Sequence, residues 1–230
     1  FGESLRYRQP AFELIMERVP ATLELAAVAL VISIVLALPL GIISASMRGS
    51  PYDYGGMIFA LFGQAMPVFW LGLMLILIFG VHLGWLPVSG RGGLEKLILP
   101  SITLATYSLA RNTRVIRSSM LDVLGQDYVR TARAKGLAEW AIIHIHALRN
   151  SLIPVVTIIG LEFGHMLGGA VIVETIFAWP GIGRLMIQAV YAKDFPLVQA
   201  SVTIAALIFV SLNFLVDFIY SYLDPRVRLV

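Results

Sequence analysis

The sequence predicts an all-α polytopic membrane protein, and three observations lead there. Of 230 residues, 58% are hydrophobic and only 13% are charged, whereas a soluble domain carries roughly 25% charged residues. The mean hydropathy is +0.85. Several apolar runs also reach the ~20 residues that a spanning helix needs.

Taken in order, residues 1–19 form an external segment. In "PAFELIMERVP", Phe12, Ile15, Met16 and Val19 recur at helical spacing between charged residues, which predicts a short amphipathic helix lying on the membrane surface. Five spans follow. The first, about 20–47, opens on Pro20, well placed for a first helical turn, and stops at Arg48 and Gly49. The second, about 56–82, contains Pro67, where a kink is expected. The third, about 97–124, is apolar only to Ala110 and then carries Arg111, Arg114 and Arg117 at three-residue spacing, so it reads as a helix leaving the membrane. The fourth and fifth, about 151–177 and 200–223, are long and apolar. Between the last two, "WPGIGRLMIQAVYAKDFP" puts Ile182, Leu185, Met186, Ala189 and Val190 on one helical face after a Pro-Gly turn; residues 178–195 read as a surface scoop rather than a span. Gly160, Gly164, Gly168 and Gly169 are spaced for close helix packing.

Lys and Arg near span ends set the orientation. One side collects Arg48, Arg111, Arg114, Arg117, Arg130, Arg133, Lys135, Arg149, Arg226 and Arg228; the other has Arg6, Arg8, Arg18, Arg91, Lys96, Arg184 and Lys193. The richer side is expected to be cytoplasmic, which places there the loop 125–150 and the C-terminus. The start of the sequence is then outside. Phe1 and "FGESLRYRQP" lack a signal-peptide pattern, so the sequence reads as a fragment missing its N-terminal part.

Several functions are excluded by what the chain lacks. It has no cysteine, which removes disulfides and thiol chemistry. A net charge of +3, without basic-aromatic arrays, gives no reason to expect nucleic acid. "PGIG" lacks the third glycine of a dinucleotide loop, and there is no P-loop, so the chain cannot hydrolyse ATP by itself. His144 and His146, two apart on a helix, do not form a metal pair.

The loop stands out. "DYVRTARAK" is helix-prone, Gly136 suits a left-handed C-terminal cap, and "LAEWAIIHIHALRN" restarts a helix that runs into the next span. Two short helices meeting at a glycine make a compact cytoplasmic protrusion. Here the sequence resembles the permeases of ATP-binding-cassette importers, whose loop is marked by Glu-Ala-Ala, three residues, Gly, nine residues, then Ile-x-Leu-Pro. Aligned on Gly136, only Ala132, Gly136 and Leu148 match; Arg130, Thr131 and Arg149 depart. The variant "YVRTARAKGL…HALRNSLIPV", with "RVPATLELA", "MPVFWLG", "WLPVSG", "GGAVIVETIFAWPGIGRL" and "DFPLVQA", is similar to the dipeptide, oligopeptide and nickel branch of those permeases over essentially the whole chain.

The resemblance implies a type I ABC importer transmembrane domain over 20–230 in the bacterial inner membrane, with five spans here and six in the full chain. It implies a second homologous permease, two ATPase subunits that carry ATP and Mg, and an external solute-binding protein; this chain, set among membrane lipid, would bind no cofactor or metal and would not be an enzyme. The loop becomes the ATPase-coupling element, with Arg130, Thr131, Ala132, Arg133, Lys135, Gly136, Leu137 and Leu148 as its candidate residues. Trp179, Pro180, Gly181 and Gly183 mark the external scoop, which would meet the binding protein. Glu162 and His165, three apart inside the fourth span, share a face. Such groups are costly in lipid and often mark a path. They read equally as a translocation-path pair, a packed hydrogen-bonded pair, or the proton relay of an ion-gradient-driven carrier, the competing function. A non-transporting scaffold presenting its basic loop is the third.

Overall fold

The structure is a computed structural model and describes residues 1–223. Arg226 and Arg228, part of the charge bias, lie outside the described residues. The helices are α1 (Ala11–Met16), α2 (Val19–Ser46), α3 (Pro51–Ala65), α4 (Val68–Leu75, continued by a π-helical stretch Ile76–His82) and α5 (Glu95–Leu124). They continue with α6 (Asp127–Ala134), α7 (Glu139–Ala141, continued by a π-helical stretch Ile142–Ala147), α8 (Leu148–Ile176), α9 (Ile182–Tyr191) and α10 (Phe195–Leu223). By length and composition, the stretches Ala11–Ser46 and Phe195–Val216 suffice to cross a membrane, and α3 with α4 and its continuation would make a third.

That third pair corrects an expectation. Instead of one kinked span over 56–82, two helices meet at 100°. Pro67 sits at the break with φ −59° and ψ 131°. Having no N–H, and disfavouring helical backbone at Met66, it ends α3 and starts α4. The helix also begins earlier, at Pro51, where proline fits a first turn.

The chain divides into two compact units. The first comprises Phe1–Ile32, Met66–Ala105 and Glu162–Phe214. One core there joins Leu25, Ala26 and Ala29 of α2, Leu99 and Leu104 of α5 and Met166, Ala170 and Val173 of α8 to Phe177 and Trp179. Alanines at these α2 positions let neighbouring backbones approach, as packing in lipid requires. A second core joins Ala11, Leu14 and Ile15 of α1, Ile182, Leu185 and Ala189 of α9, and Leu197, Ala200 and Ile204 of α10.

This second core sets which side of α1 is buried against protein. Phe12 and Met16 are exposed, and Ala11, Leu14 and Ile15 are buried. Six residues are too few to fix a face from periodicity, so the partner helices decide it. On α9 the same happens in part: Val190 is exposed while Ile182, Leu185 and Ala189 are buried.

Residues 3–10 close on Asp194. Its carboxylate accepts from the Ser4 hydroxyl and from the amides of Arg6 and Leu197. Burial alone would push this carboxyl up, but the Ser4 hydroxyl and the Arg6, Leu5 and Leu197 amides outweigh it and hold it below its ordinary range. A depressed carboxyl contributes stability above its unfolded pKa of about 3.9 and loses it as the pH falls through the folded value. Amide exchange in residues 3–10 should therefore stay slow at neutral pH and accelerate only in acid, and Asp194→Asn should abolish that acid transition. A wild-type transition near pH 7 would contradict the clamp.

The second unit comprises Ser33–Ala65, Thr106–Leu161 and the chain from Leu215 onward. Its core joins Ala37 and Ala45 of α2, Leu109, Ile116, Met120 and Val123 of α5, and Ala147 and Val155. Two of its buried polar groups find partners: Asn112 Nδ2 donates to Ser33 Oγ at 3.0 Å, and Thr113 to the Leu109 carbonyl.

Candidate functional site

The loop between α5 and α8 is built as a braced helical hairpin. Val129 is its buried anchor, while Arg130, Thr131, Arg133 and Lys135 are exposed and Ala132 is half-buried. The α6 helix ends in a Schellman turn: Leu137 N donates to Ala132 O (3.2 Å) and Gly136 N to Arg133 O (2.9 Å), satisfying carbonyls that a helix end leaves open. Gly136 carries φ +76°, which only glycine adopts without cost. Across that turn Arg133 grips Glu139 with Nε to Oε2 at 3.1 Å and Nη2 to Oε1 at 2.6 Å. The hydrogen bonds from Arg133 hold the Glu139 carboxyl below its ordinary range. A second brace is Asn150 Nδ2, which donates to Tyr128 Oη (2.8 Å) and to His146 O (3.1 Å). The hairpin thus holds its own shape and presents Arg130, Lys135, Leu137 and a Trp140 that is 66% exposed and stacked on His144 at 5.2 Å. Leu148 is half-buried where α8 begins.

Glu162 is buried, at 1% exposure. His165 is exposed and lies edge-on to the Phe209 ring at 6.2 Å. Sharing a helix face has not given the two side chains the same surroundings. Of the α8 glycines, Gly164 lies against Phe209 and Asn213, Gly160 against Val216 and Gly169 against Leu104, but a side chain at Gly168 would meet open space; close packing does not explain that one.

The segment after α8 is an anchored strap. Trp179 is buried and donates from Nε1 to the Ala21 carbonyl at 2.8 Å. Gly181 and Gly183 are buried and Pro180 half-buried, so Trp179, Gly181 and Gly183 hold the segment while Tyr191 and Phe195 form its exposed surface. Glu174, near the end of α8, is fully buried. It accepts from Thr22 Oγ1 (2.6 Å) and Arg184 N (3.0 Å), placing a carboxylate against the first turn of α9, where the helix favours negative charge. A Cβ at Gly183 would come within 2.6 Å of the Val171 Cα. Gly183→Ala should therefore force α9 off α8 at a cost of about 1–3 kcal/mol, read as a lower melting temperature; an unchanged value would show that the approach is not tight.

Three ion pairs and bonds were not foreseen. Arg117 binds Asp53 through two 2.7 Å bonds, Arg91 pairs with Glu24 beside the Trp179 ring, and Thr22 meets Glu174. The only available signal was a charged residue inside an apolar run, which says a partner exists but not which. Among the described residues no group of three or more His, Cys, Asp or Glu is placed to hold a metal ion.

The arrangement of helices defines the class. A structure of the MetNI methionine ABC transporter in an inward-facing conformation matches with a TM-score of 0.77 at 17% identity, covering 94% of this chain and 98% of that one; a crystal structure of an amino acid ABC transporter with histidines matches with a TM-score of 0.70 at 17% identity, covering 91% and 94%. The fold is that of a type I ABC importer transmembrane domain. Residues 37–229 match the family described as the binding-protein-dependent transport system inner membrane component. The chain is 43% identical to the di/tripeptide transport system permease protein DppB of Pseudomonas aeruginosa (99% of this chain, 76% of that one). It is 41% identical to the dipeptide transport system permease protein DppB of Escherichia coli K12, with the same coverage. The chain belongs to this family of inner-membrane transport permeases, and it is a multi-pass transport subunit of an ABC importer.

Proposed function

We propose that this permease carries dipeptides or similarly small peptides inward, powered by ATP hydrolysed on separate subunits. It would work with a second homologous permease, two ATPases holding ATP and Mg, and an external solute-binding protein. The exposed hairpin 127–150, cytoplasmic in this reading, is the coupling element: it seats in a cleft of the ATPase and passes its closure to α5 and α8, the helices on either side. What carries the proposal is a basic protrusion that is rigid without a partner, braced by Arg133 with Glu139 and by Asn150 with Tyr128. A loop that had to order itself on contact would lose conformational entropy at each cycle. Arg133 is held in its brace, while Arg130 makes only a 3.8 Å, solvent-exposed pair with Asp127 that is worth little, so Arg130 and Lys135 are the cations proposed to meet acidic ATPase residues. The dipeptide names of the relatives favour peptide over nickel as solute.

Five spans, with residues 1–19 and 178–195 outside, complete the proposed topology. Glu162 and His165 are proposed to border the path, and the surface around Tyr191 and Phe195 to receive the binding protein. Uptake of labelled dipeptide into vesicles containing the whole complex tests the energy source. Uptake should follow internal ATP and persist when a protonophore collapses the proton gradient; loss of uptake with ATP held constant would instead support a gradient-driven carrier using Glu162 and His165.

A further inference from the structure

Helix α3 is fastened to α5 at two points. Near the start of α3, the Asp53 carboxylate takes both bonds of the Arg117 fork and also the Gly49 amide. Near its end, Gly63 lets the backbones come so close that a Cβ there would lie 2.5 Å from Thr106 Cγ2. Positions 53 and 63 meet 117 and 106 in reverse order, so α3 runs antiparallel along α5, with its two attachments about 15 Å apart at 1.5 Å per residue. Just past Arg117, α5 is tied to α8: Ser119 Oγ donates to the Ser151 carbonyl at 2.8 Å, and Ser151 Oγ to Met120 Sδ at 3.0 Å. All of these residues lie in the second unit. The hairpin 127–150 therefore leaves from a base in which α5 and α8 are joined and α3 is fastened to α5.

We propose that Asp53 and Arg117 are a positioning pair for transport: they pin α3 to α5, so that a movement of the hairpin carries α3 with it as one lever. The inference rests on the hairpin being the coupling element. Stability alone does not account for the pair, because apolar residues of similar volume usually hold a buried contact as well or better. What the fork adds is geometry. A planar guanidinium bonded through two nitrogens fixes the angle of approach as well as the distance, whereas apolar side chains leave two helices free to slide. The far end of α3 has no rigid continuation, since Pro67 interrupts the helical hydrogen bonding and the chain turns there through 100°. The position of α3 is thus set by its two attachments to α5, one of close packing and one of charge.

The test measures dipeptide uptake and ATP hydrolysis on the same proteoliposomes holding the whole transporter. Arg117→Lys keeps the charge and loses the fork. It should lower the peptide moved per ATP hydrolysed about tenfold, the worth of one charge-assisted hydrogen bond, with hydrolysis near the wild-type rate. A pair that only stabilised the fold would lower uptake and hydrolysis together, so an unchanged ratio overturns the proposal. Because the chain has no cysteine, Gly63→Cys/Thr106→Cys supplies an independent lock: Thr106 Cβ lies 3.9 Å from where a Cβ at Gly63 would be, within the range of a disulfide. If α3 and α5 move as one, oxidation should leave uptake unchanged, and in the Arg117→Lys background it should restore the ratio. Uptake lost on oxidation and recovered with reductant would show that α3 must slide on α5, which also overturns the proposal; this variant decides the matter even where Arg117→Lys fails to assemble. Crosslinking of Ala138→Cys to the ATPase separates the two readings. If that crosslink forms and the Arg117→Lys ratio is unchanged, only the pin is refuted; if it never forms, the coupling reading falls and the pin with it.

Discussion

Arg117→Leu is expected to destabilise the permease by roughly 3–5 kcal/mol, the usual consequence of leaving one member of a buried ion pair without its partner. The geometry is that of a fork: Nε meets Oδ1 and Nη2 meets Oδ2 of Asp53, both at 2.7 Å. The Asp53 side chain is only 4% exposed and that of Arg117 25%, so solvent cannot take over the lost contact. Asp53 also accepts from the Gly49 amide at 3.0 Å, which ties the turn before α3 to the same carboxylate. Thermal unfolding of the purified protein measures the loss. The double variant Asp53→Leu/Arg117→Leu should recover much of it, because removing both charges removes the desolvation cost as well. If the single and double variants melt alike, the pair is not the source of the stability.

Gly136→Val should reduce dipeptide uptake sharply while leaving the permease in the membrane. The residue sits at φ +76°, and nothing lies within 4 Å of where its Cβ would be, so the cost is in the backbone and not in contacts. Left-handed backbone costs an ordinary L-residue about 1–2 kcal/mol, more for a β-branched one. The cheapest relief is to undo the Schellman turn and swing α6 away from Glu139. Since each 1.4 kcal/mol shifts an equilibrium about tenfold, even this modest strain should lower uptake by about that factor. Gly136→Asn provides the control, because asparagine tolerates left-handed backbone and should preserve most of the transport. Equal loss in both variants would point to contact with the glycine surface and not to its backbone.

Local rules carried the sequence far in some places and stopped at others. Gly136 was legible because a helix followed at once by another helix needs a residue that turns left-handed, and one glycine stood there. Pro67 was legible as a kink within one span, not as a 100° break between two helices, since the angle depends on what α3 and α4 pack against. On α1, spacing marked Phe12, Ile15, Met16 and Val19 for the membrane surface, and α9 and α10 decide that Ala11, Leu14 and Ile15 are the residues buried against protein. Glu174 stands near a span end, and what it pairs with is Thr22, 152 residues away, and the amide of Arg184. Asp53 and Arg117, 64 residues apart, could be paired by no periodicity. In each of these cases the deciding partner is remote in sequence. The hairpin differs: its braces lie between 4 and 22 residues apart, which is why its shape could be anticipated from the local sequence.

The coupling role of the hairpin is tested most directly by crosslinking in the intact transporter. The chain has no cysteine, so Ala138→Cys, an exposed position at the start of α7, introduces a single thiol. Paired with cysteines scanned across the ATPase cleft, it should form a crosslink whose yield changes when ATP is bound. If that thiol is labelled from the cytoplasm and the ATPase co-purifies, yet no position crosslinks with or without ATP, the hairpin is not the coupling element.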